Sequence, residues 1–106
     1  MANYILCDMI FDWDDNKAKA NEQKHKVSFM EAATVFRDVD AVIIDDEKHS
    51  ELEERFNLLG MSNELKMLIV CHCYRDNDEV IRIISARKAN KHEVKQYGGK
   101  KHERTL

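Results

Sequence analysis

Five segments of the chain are rich in hydrophobic residues and predict strands, and in the first of them large apolar side chains alternate with acids. The segments are IFDWD (10–14), AVIID (41–45), RFNLLGM (55–61), MLIVCHCY (67–74) and VIRIISA (80–86). Short polar links, SNEL and RDNDE, separate the last three segments. Such links favour antiparallel neighbours, because a parallel pair needs a crossover connection of about a dozen residues or more. The pattern therefore predicts an antiparallel meander.

Three helices are predicted between and after these strands. The segment NKAKANEQK is rich in alanine and long side chains, and Asp14 or Asp15 can cap it. The segment FMEAATVF follows Ser28, with Glu31 three residues later, which is the spacing of a capping box. A C-terminal helix is predicted from Asn90 as N-cap to the two glycines at 98–99.

The expected fold class is therefore α+β: a small antiparallel β-sheet with two N-terminal helices and a C-terminal helix. Residues 10–106 form a single domain in this prediction, and residues 1–9 are an N-terminal lead or an extra strand. The chain has 106 residues, 43% of them hydrophobic and 35% charged, which is typical of one globular domain with a modest core.

A cytoplasmic location is expected from the same composition. No apolar run approaches the roughly 20 residues that cross a bilayer, so no membrane association is predicted. The N-terminus lacks the cationic region of a signal peptide. Three cysteines cannot all pair, and Cys71 and Cys73 lie on one predicted strand, so reduced thiols are expected.

Charge is distributed unevenly along the chain, whose net charge is −3. Residues 1–64 carry 7 Lys/Arg against 15 Asp/Glu, and residues 65–106 carry 10 against 5. Residues 80–104 are the most basic part, with 8 basic and 2 acidic side chains. A polyanion would respond to this local patch rather than to the average. A solvated basic helix explains the same pattern, so the patch alone does not establish nucleic-acid binding.

Arginines in the predicted strands are candidate phosphate ligands. Arg55 begins one strand, Arg82 lies inside another, and Arg87 and Lys88 follow it. An arginine in an apolar strand must reach water, pair with a carboxylate, or line a functional face. Because Arg82 and Arg87 are five residues apart, a regular strand places them on opposite faces. A β-bulge near Ser85, or an early end of the strand, would be needed to bring them together.

Three further positions allow both a functional and a structural interpretation. Lys24 and His25 end the first helix, where the helix dipole favours cations, but they could also meet an anionic substrate. His72 is expected on the face opposite Cys71 and Cys73, as a core histidine or, with Arg75 just beyond it, as a substrate-binding residue.

A metal site is not predicted. The three cysteines do not provide a convincing set of four zinc ligands, and small buried cysteines are common in sheets. The acidic stretch DVDAVIIDDEKHSELEE (38–54) could hold Mg²⁺ for a metal-dependent nuclease, but its spacing shows no octahedral ligand set. A solvated acidic loop, or a surface for a basic partner, accounts for it better. No cofactor is expected.

Three segments together resemble the BrnT family of bacterial type II toxins. They are FDWDDNKAKANEQKHKVSFMEAATVF near the start, HSELEERFNLLG in the middle, and IRIISARKANKHE near the end. The resemblance runs from about Phe11 to Tyr97. It implies a small ribonuclease with a RelE-like fold, in which helices pack on an antiparallel sheet and RNA lies on the sheet's other side.

The resemblance also implies a mechanism and partners. The substrate's own 2′-hydroxyl would attack the neighbouring phosphate without a metal. The implied catalytic residues are Lys24, His25, Arg55, Arg82 and Arg87, with Lys88 as a substrate-binding residue. We expect the three arginines to bind the phosphate and Lys24 or His25 to transfer the proton. His72 and Arg75, which the family's motifs do not include, are kept as further candidate substrate-binding residues. The implied partner is a BrnA-type antitoxin, in a complex of two copies of each protein, which links the toxin to operator DNA only indirectly.

Two rival functions are retained at this point. In the first, the chain is a catalytically inactive binding partner or corepressor of a DNA-binding antitoxin, and replacing Arg82 and Arg87 would leave that role intact. In the second, carboxylates bind a metal that cleaves RNA, and a chelator would abolish activity. The metal-independent ribonuclease is the preferred hypothesis.

Overall fold

The computed structural model of the chain describes residues 2–44 and 54–98, which fold into one sheet with helices on it. In these ranges the strands are β1 (Ala2–Leu6), β2 (Met9–Trp13), β3 (Val42–Ile44), β4 (Phe56–Met61), β5 (Met67–Arg75) and β6 (Val80–Lys88). The helices are α1 (Asp15–His25), α2 (Phe29–Thr34) and α3 (Lys91–Val94), and a 3₁₀ turn (Val35–Arg37) extends α2. The α+β class is as predicted.

The sheet is mixed rather than wholly antiparallel. Its strand order is β1-β2-β6-β5-β4-β3, and β4, β5 and β6 form the predicted meander. The difference lies at β2, which pairs with β6 in parallel, with Asp12 beside Arg82. The chain between these strands includes two helices and three other strands, ample length for a parallel return. Local hydrophobic pattern carries no information on such a distant pairing.

The N-terminal residues, for which a lead or an extra strand was expected, form strand β1. It pairs with β2 in a hairpin whose register joins Leu6 to Met9. Cys7 and Asp8 occupy the turn with φ angles of 49° and 67°. Positive φ at both central residues is the signature of a type I′ turn, whose twist matches that of the flanking strands.

The main core lies between one face of the sheet, called here the helix face, and helices α1 and α2. Sheet residues in this core are Phe11, Trp13, Leu68, Val70, Ile81, Ile83 and Ala86, and they meet Val27, Phe29, Ala32, Ala33 and Val35. Aromatic rings pack edge to face within it, with Trp13 5.9 Å from Phe29 between ring centroids. The face of α2 that carries Phe29, Ala32 and Ala33 is therefore the face that is buried.

Helix α1 is held to the sheet mainly by one polar side chain. Asn21 is its buried residue, and its Nδ2 donates to the carbonyl oxygens of Val27 at 3.0 Å and Ala86 at 2.9 Å. The Asn21 Oδ1 accepts from the backbone N–H of Ala86 at 3.0 Å. The amide thus bonds both backbone groups of Ala86, as a neighbouring strand would.

The predicted caps of the helices are present, with one difference. Ser28 caps α2 by accepting from the backbone N–H of Glu31 at 3.0 Å. The carboxylate of Glu31 does not complete the box, because it accepts from the Ser62 hydroxyl at 2.7 Å. At α3 both halves of the capping box form between Asn90 and Glu93.

We expect Gly60→Ala to destabilise the fold. A Cβ added at Gly60 would lie 2.7 Å from Val35 Cγ1 and 2.9 Å from Ala41 Cβ, closer than carbon atoms pack. Overpacking of this kind costs about 1–3 kcal/mol. Urea denaturation measures the loss, and exposed Glu64, mutated to alanine, is the control. Equal stability of the wild type and the Gly60→Ala variant would contradict the packing described here.

The second face of the sheet, called here the open face, is covered only in part. A smaller cluster of Ile44, Leu59 and Ile69 packs there against Ala89 and Tyr97, on either side of α3. The Tyr97 hydroxyl donates to Asp38 Oδ2 at 2.7 Å, and burial and this carboxylate raise the pKa of Tyr97 to about 12. None of the helices in the described ranges has the length and apolar character required to span a bilayer.

Candidate active site

A β-bulge in β6 places Arg82 and Arg87 on the same face of the sheet. Cys71 pairs with Ser85, whereas the next residue of β5, His72, pairs with Ile83, so Ile84 is the extra residue. Arg82 then lies opposite Cys73 and Arg87 opposite Ile69. Because the two partners on β5 are four residues apart, they share the open face, about 13 Å apart along the strand. Of the two arrangements expected from the sequence, a β-bulge near Ser85 or an early end of the strand, the structure contains the bulge.

Three of the predicted arginines converge on one cavity, called here the arginine cavity. It has a volume of about 110 Å³ and is lined by Asp14, Lys17, Arg55, Arg75, Arg82, Ile83 and Ile84. The bulge contributes Ile83 and Ile84, and the start of α1 contributes Asp14 and Lys17. Four cationic side chains thus face one carboxylate, which makes the cavity suited to an anion.

Arg82 is held in place by an acidic neighbour that the sequence analysis did not single out. Its Nε donates to Asp12 Oδ1 at 2.7 Å and its second terminal nitrogen to Asp12 Oδ2 at 2.9 Å. Both side chains are largely buried, with exposed fractions of 21% for Arg82 and 13% for Asp12. A paired, two-point contact of this kind fixes the plane of the guanidinium. It also takes up part of its hydrogen-bonding capacity.

Arg55 has a donor for which the described residues provide no acceptor. Its Nε atom is buried and has no hydrogen-bond partner within the described ranges. A buried donor without a partner costs free energy, so such atoms are exceptions in folded proteins and often mark ligand sites. Because Arg55 lines the arginine cavity, an anion bound there is well placed to accept from it.

Arg87 is neutralised by the cap of α3. Its two terminal nitrogens donate to the two carboxylate oxygens of Glu93, each at 2.8 Å. This side-chain hydrogen bond raises the pKa of Arg87 and lowers the pKa of Glu93. Arg87 therefore ties α3 to the end of β6, and it does not line the arginine cavity.

Lys24 and His25 lie toward the C-terminal end of β6 rather than in the arginine cavity. The first turn of α1 places Lys17 in that cavity. Asn21, one turn later, forms hydrogen bonds with the backbone of Ala86. Lys24 and His25 follow by another turn, which places them toward the end of β6 that bears Arg87. Lys24 is exposed and His25 half-buried, and neither side chain has an ion pair or hydrogen bond within the described ranges.

The structure separates Lys88 and His72 from the arginines. Lys88 pairs with Leu68 and so belongs to the helix face, although its side chain is exposed. His72 is fully buried on the helix face, with ring centroids 4.8 Å from Phe36 and 5.8 Å from Phe56. This placement favours the core-histidine interpretation and gives no support to His72 as a substrate-binding residue. Arg75, in contrast, lines the arginine cavity.

His72 is held in its neutral form. Burial lowers the pKa of His72, against a smaller opposing effect of the Val70 carbonyl oxygen, 3.1 Å from its Nδ1. With the proton on Nδ1, the Nε2 atom has no partner among the described residues. The unfolded chain would take up a proton near pH 6.5, whereas the folded chain resists protonation.

The free energy of unfolding should therefore fall as the pH drops below about 6.5. His72 contributes at most about 1.4 kcal/mol per pH unit to this decrease. We expect His72→Phe, which keeps an aromatic ring, to reduce this dependence between pH 7.5 and 5.5. Chemical denaturation at both pH values measures the difference, and exposed His92, mutated to glutamine, is the control. An unchanged pH dependence in His72→Phe would contradict the assignment.

The described residues contain no group of three or more His, Cys, Asp or Glu side chains placed to hold a metal ion. Positions 45–53 of the acidic stretch lie outside those residues. Asp38, which is among the described residues, forms hydrogen bonds within the fold: its carboxylate accepts from the backbone N–H of Met61 at 2.8 Å and from the Tyr97 hydroxyl. Cys71 and Cys73 lie on the open face, on the side of β5 opposite His72, as alternation along that strand predicted.

Sequence reasoning identified the arginines but missed the side chains around them. Asp12 and Lys17 were seen only as strand and helix residues, and Asp14 as a helix cap. Asp14 does cap α1, and the backbone N–H of Lys17 is the main cause that lowers its pKa. The one available signal was the alternation in FDWDD, which puts Asp12 and Asp14 on the side of the strand opposite Phe11 and Trp13.

Comparison with known proteins decides the family. The family model described as "Ribonuclease toxin, BrnT, of type II toxin-antitoxin system" matches residues 13–93, about three quarters of the chain. The chain belongs to the BrnT family. No curated protein matches it. The resemblance expected from the FDWD, KHKVSF and ISARKA segments is thereby confirmed, and with it membership of a family of ribonuclease toxins that act with an antitoxin.

A solved BrnT structure has the same fold. The crystal structure of the Brucella abortus ribonuclease toxin, BrnT, aligns with a TM-score of 0.59 at 22% sequence identity. The alignment covers 76% of this chain and 96% of the Brucella chain. At this identity the likeness concerns the fold, and the roles of individual residues have to come from the geometry described above.

Proposed function

We propose that this BrnT-family chain is a metal-independent endoribonuclease whose RNA substrate lies on the open face of the sheet. One observation carries the proposal: Arg55, Arg75 and Arg82 converge on one cavity of that face, and the buried Nε of Arg55 has no partner in the described residues. A phosphate group would supply acceptors to such a cluster, and planar guanidinium groups bind two phosphate oxygens at once.

The three arginines would have different tasks in binding the phosphate. Arg82 is oriented by Asp12, so it presents its remaining donors from a fixed plane. Arg55 gains an acceptor for its buried Nε, which makes the bound state more favourable than the empty one. Arg75 is exposed and contributes mainly charge. Together they would stabilise the extra negative charge of a five-coordinate phosphorane-like transition state.

The reaction we propose needs no water in its first step. The 2′-hydroxyl oxygen attacks the adjacent phosphorus, the bond from phosphorus to the 5′-oxygen breaks, and a 2′,3′-cyclic phosphate remains. A base takes the 2′-hydroxyl proton, and an acid protonates the departing 5′-oxygen. Lys24 and His25 were expected to transfer these protons, but Lys24 lies about 10 Å along α1 from Lys17 of the arginine cavity, farther than a hydrogen bond reaches. We therefore propose that they contact the RNA backbone beyond the cleaved phosphate.

Arg87 has a different proposed role from the one expected. Because Glu93 occupies both of its terminal nitrogens, Arg87 would contact RNA only through exchange of that partner. We therefore propose Arg87 as a weaker contact to the RNA backbone, and Arg55 and Arg82 as the principal phosphate ligands.

We also propose an antitoxin partner and a cytoplasmic location from membership of the family. A RelE-like arrangement would leave the open face available to RNA until a BrnA-type antitoxin covers it, in a complex with two copies of each chain. The antitoxin would supply contact with operator DNA. The pair would act in the cytoplasm, where both RNA and antitoxin are made.

Cleavage of a 5′-labelled RNA in excess EDTA tests the proposed function. We expect cleavage to persist in the chelator and to leave 2′,3′-cyclic phosphate ends. Loss of cleavage in EDTA, with recovery in Mg²⁺, would overturn metal independence. Absence of cleavage under both conditions, with and without ribosomes, together with intact antitoxin binding, would instead favour the inactive binding partner.

A further inference from the structure

The proposed reaction needs a proton acceptor and a proton donor within reach of the cleaved phosphate. A proton moves directly only between groups at hydrogen-bond distance, about 2.6–3.2 Å between heavy atoms. Lys24 and His25 lie too far along α1 for that. The two groups that exchange protons with the substrate therefore belong to the lining of the arginine cavity.

Among the described residues that line this cavity, two side chains can exchange a proton near neutral pH. Three of the lining residues are arginines, which stay protonated in proteins, and two are isoleucines, which have no titratable group. The remaining two are Asp14 and Lys17. A carboxylate can accept a proton and an ammonium group can donate one, so the lining holds one candidate for each task.

Both candidates belong to the start of α1, which stands at the edge of β6. Asp14 is the N-cap of the helix, and Lys17 lies in its first turn. Strand β2 pairs with β6 only as far as Arg82, and α1 takes the place beside β6 after that point. The start of the helix therefore meets Ile83 and Ile84, at the bulge, where all of these side chains line one cavity.

The carboxylate of Asp14 has one oxygen in the helix cap and one that the cap does not use. Its Oδ1 accepts from the backbone N–H groups of Asn16 at 2.8 Å and Lys17 at 3.1 Å. Its Oδ2 accepts no hydrogen bond from the described residues. The backbone N–H of Lys17 is the main cause that lowers the pKa of Asp14, so the carboxylate is ionised at neutral pH. A carboxylate of low pKa is a weak base, and its contribution belongs at the lower end of the usual range.

Lys17 differs from the arginines beside it in what its charge can do. Its side chain is exposed and forms no ion pair or hydrogen bond with the described part of the chain. A lysine ammonium carries three donors on a flexible stem, so it can follow a phosphate oxygen whose position changes during the reaction. It can also give up a proton to a departing oxygen, which a guanidinium does not.

Resting on the ribonuclease function proposed above, we infer that Asp14 is the general base and Lys17 the general acid of the cleavage. Asp14 Oδ2 takes the proton of the 2′-hydroxyl while the hydroxyl oxygen forms its bond to phosphorus. The bond between phosphorus and the 5′-oxygen breaks, and the Lys17 ammonium gives that oxygen a proton. Asp14 gains one proton and Lys17 loses one, so the net charge of the cavity is unchanged, and water restores both groups afterwards.

The variant Lys17→Arg separates proton donation from charge. Arginine keeps the positive charge and the donors to phosphate, but it does not release a proton. We expect kcat for ordinary RNA to fall by about 100-fold or more, the usual contribution of a general acid. An RNA with sulfur in place of the 5′-oxygen at the cleaved bond should restore the rate of this variant, because a thiol has a pKa of about 8.5 and its anion leaves unprotonated. Lys19→Arg, at an exposed lysine of α1 outside the cavity lining, is the control and should cleave both RNAs as the wild type does.

The variant Asp14→Asn tests the base. Asparagine caps a helix as well as aspartate does, so the free energy of unfolding should be almost unchanged in urea denaturation. We expect kcat to fall by about 100-fold. Binding of a 2′-O-methyl RNA should become tighter, because a negative charge is removed from a cavity lined by arginines. The sulfur-containing RNA should not restore this variant. Asp15→Asn, at the exposed acid next to it, is the control.

The outcomes separate this inference from the function on which it rests. Ordinary RNA cleaved at the wild-type rate by Lys17→Arg, or a loss that the sulfur-containing RNA does not restore, would overturn the role of Lys17. An unchanged kcat in Asp14→Asn would overturn the role of Asp14. Either result, with cleavage by the wild type, would leave the ribonuclease function standing. Absence of cleavage by the wild type would overturn that function, and this inference with it.

Discussion

Replacing Arg55 by alanine is expected to lower kcat/KM for RNA cleavage by about 100-fold while the fold survives. Arg55 lines the arginine cavity, and no described residue supplies an acceptor for its buried Nε–H donor. Removal of a single preorganised donor from an anionic transition state typically costs 100-fold or more. The loss should fall mainly on kcat, since several other cations continue to attract the RNA.

The control for this variant is Arg37→Ala. Arg37 is an exposed arginine of the 3₁₀ turn and lies outside the arginine cavity. Its replacement by alanine therefore removes the same charge at a different place. It should leave kcat unchanged and reduce binding only slightly at low salt. Arg55→Lys should recover part of the activity, because lysine restores the charge without the planar donor pair. Equal losses in Arg55→Ala and Arg37→Ala would contradict the assignment.

Asn21→Leu is expected to cause the largest loss of stability among single polar substitutions in the described ranges. Leucine has a similar volume but leaves both backbone groups of Ala86 and the carbonyl oxygen of Val27 without their partner. Each buried group left unsatisfied costs about 1–3 kcal/mol. Three such groups set a lower limit of about 3 kcal/mol for the decrease in the free energy of unfolding, which urea denaturation measures.

The control is Gln23→Ala, two residues along the same helix, where the side chain is exposed. It should change the free energy of unfolding by less than about 0.5 kcal/mol. A small loss in Asn21→Leu, comparable to the control, would show that water or a shift of α1 replaces these hydrogen bonds. The docking of α1 described here would then be incorrect.

The sequence predicted the elements well because their signals are local. Apolar segments separated by short polar links located β4, β5 and β6, and Ser28 and Asn90 identified the starts of α2 and α3. The parallel pair of β2 and β6 has no such signal, since its residues are about 70 positions apart and only the assembled core brings them together. The antiparallel prediction was therefore right for the meander and incomplete for the sheet.

The candidate site was predictable in residue type more than in arrangement. Arginines within apolar strands had to find a partner or a functional face, and Arg82 did both, with Asp12 and the arginine cavity. Whether a bulge would align Arg82 with Arg87 depended on one residue of register, which no propensity at Ile84 or Ser85 determines. For the same reason the contact of Arg87 with Glu93 could not be foreseen, although Asn90 was correctly predicted as the N-cap of the same helix.

Mapping RNA onto the two faces of the sheet tests the central claim most directly. A short RNA with 2′-O-methyl groups throughout cannot undergo the proposed attack, so it should bind without being cleaved. In an NMR titration, we predict shifts of the backbone amide signals of Asn57, Cys71 and Ser85 on the open face. The signals of Met30, Thr34 and Arg37, on the helix side, should stay in place. Shifts confined to that second group would contradict the assignment of the RNA site to the arginine-lined open face.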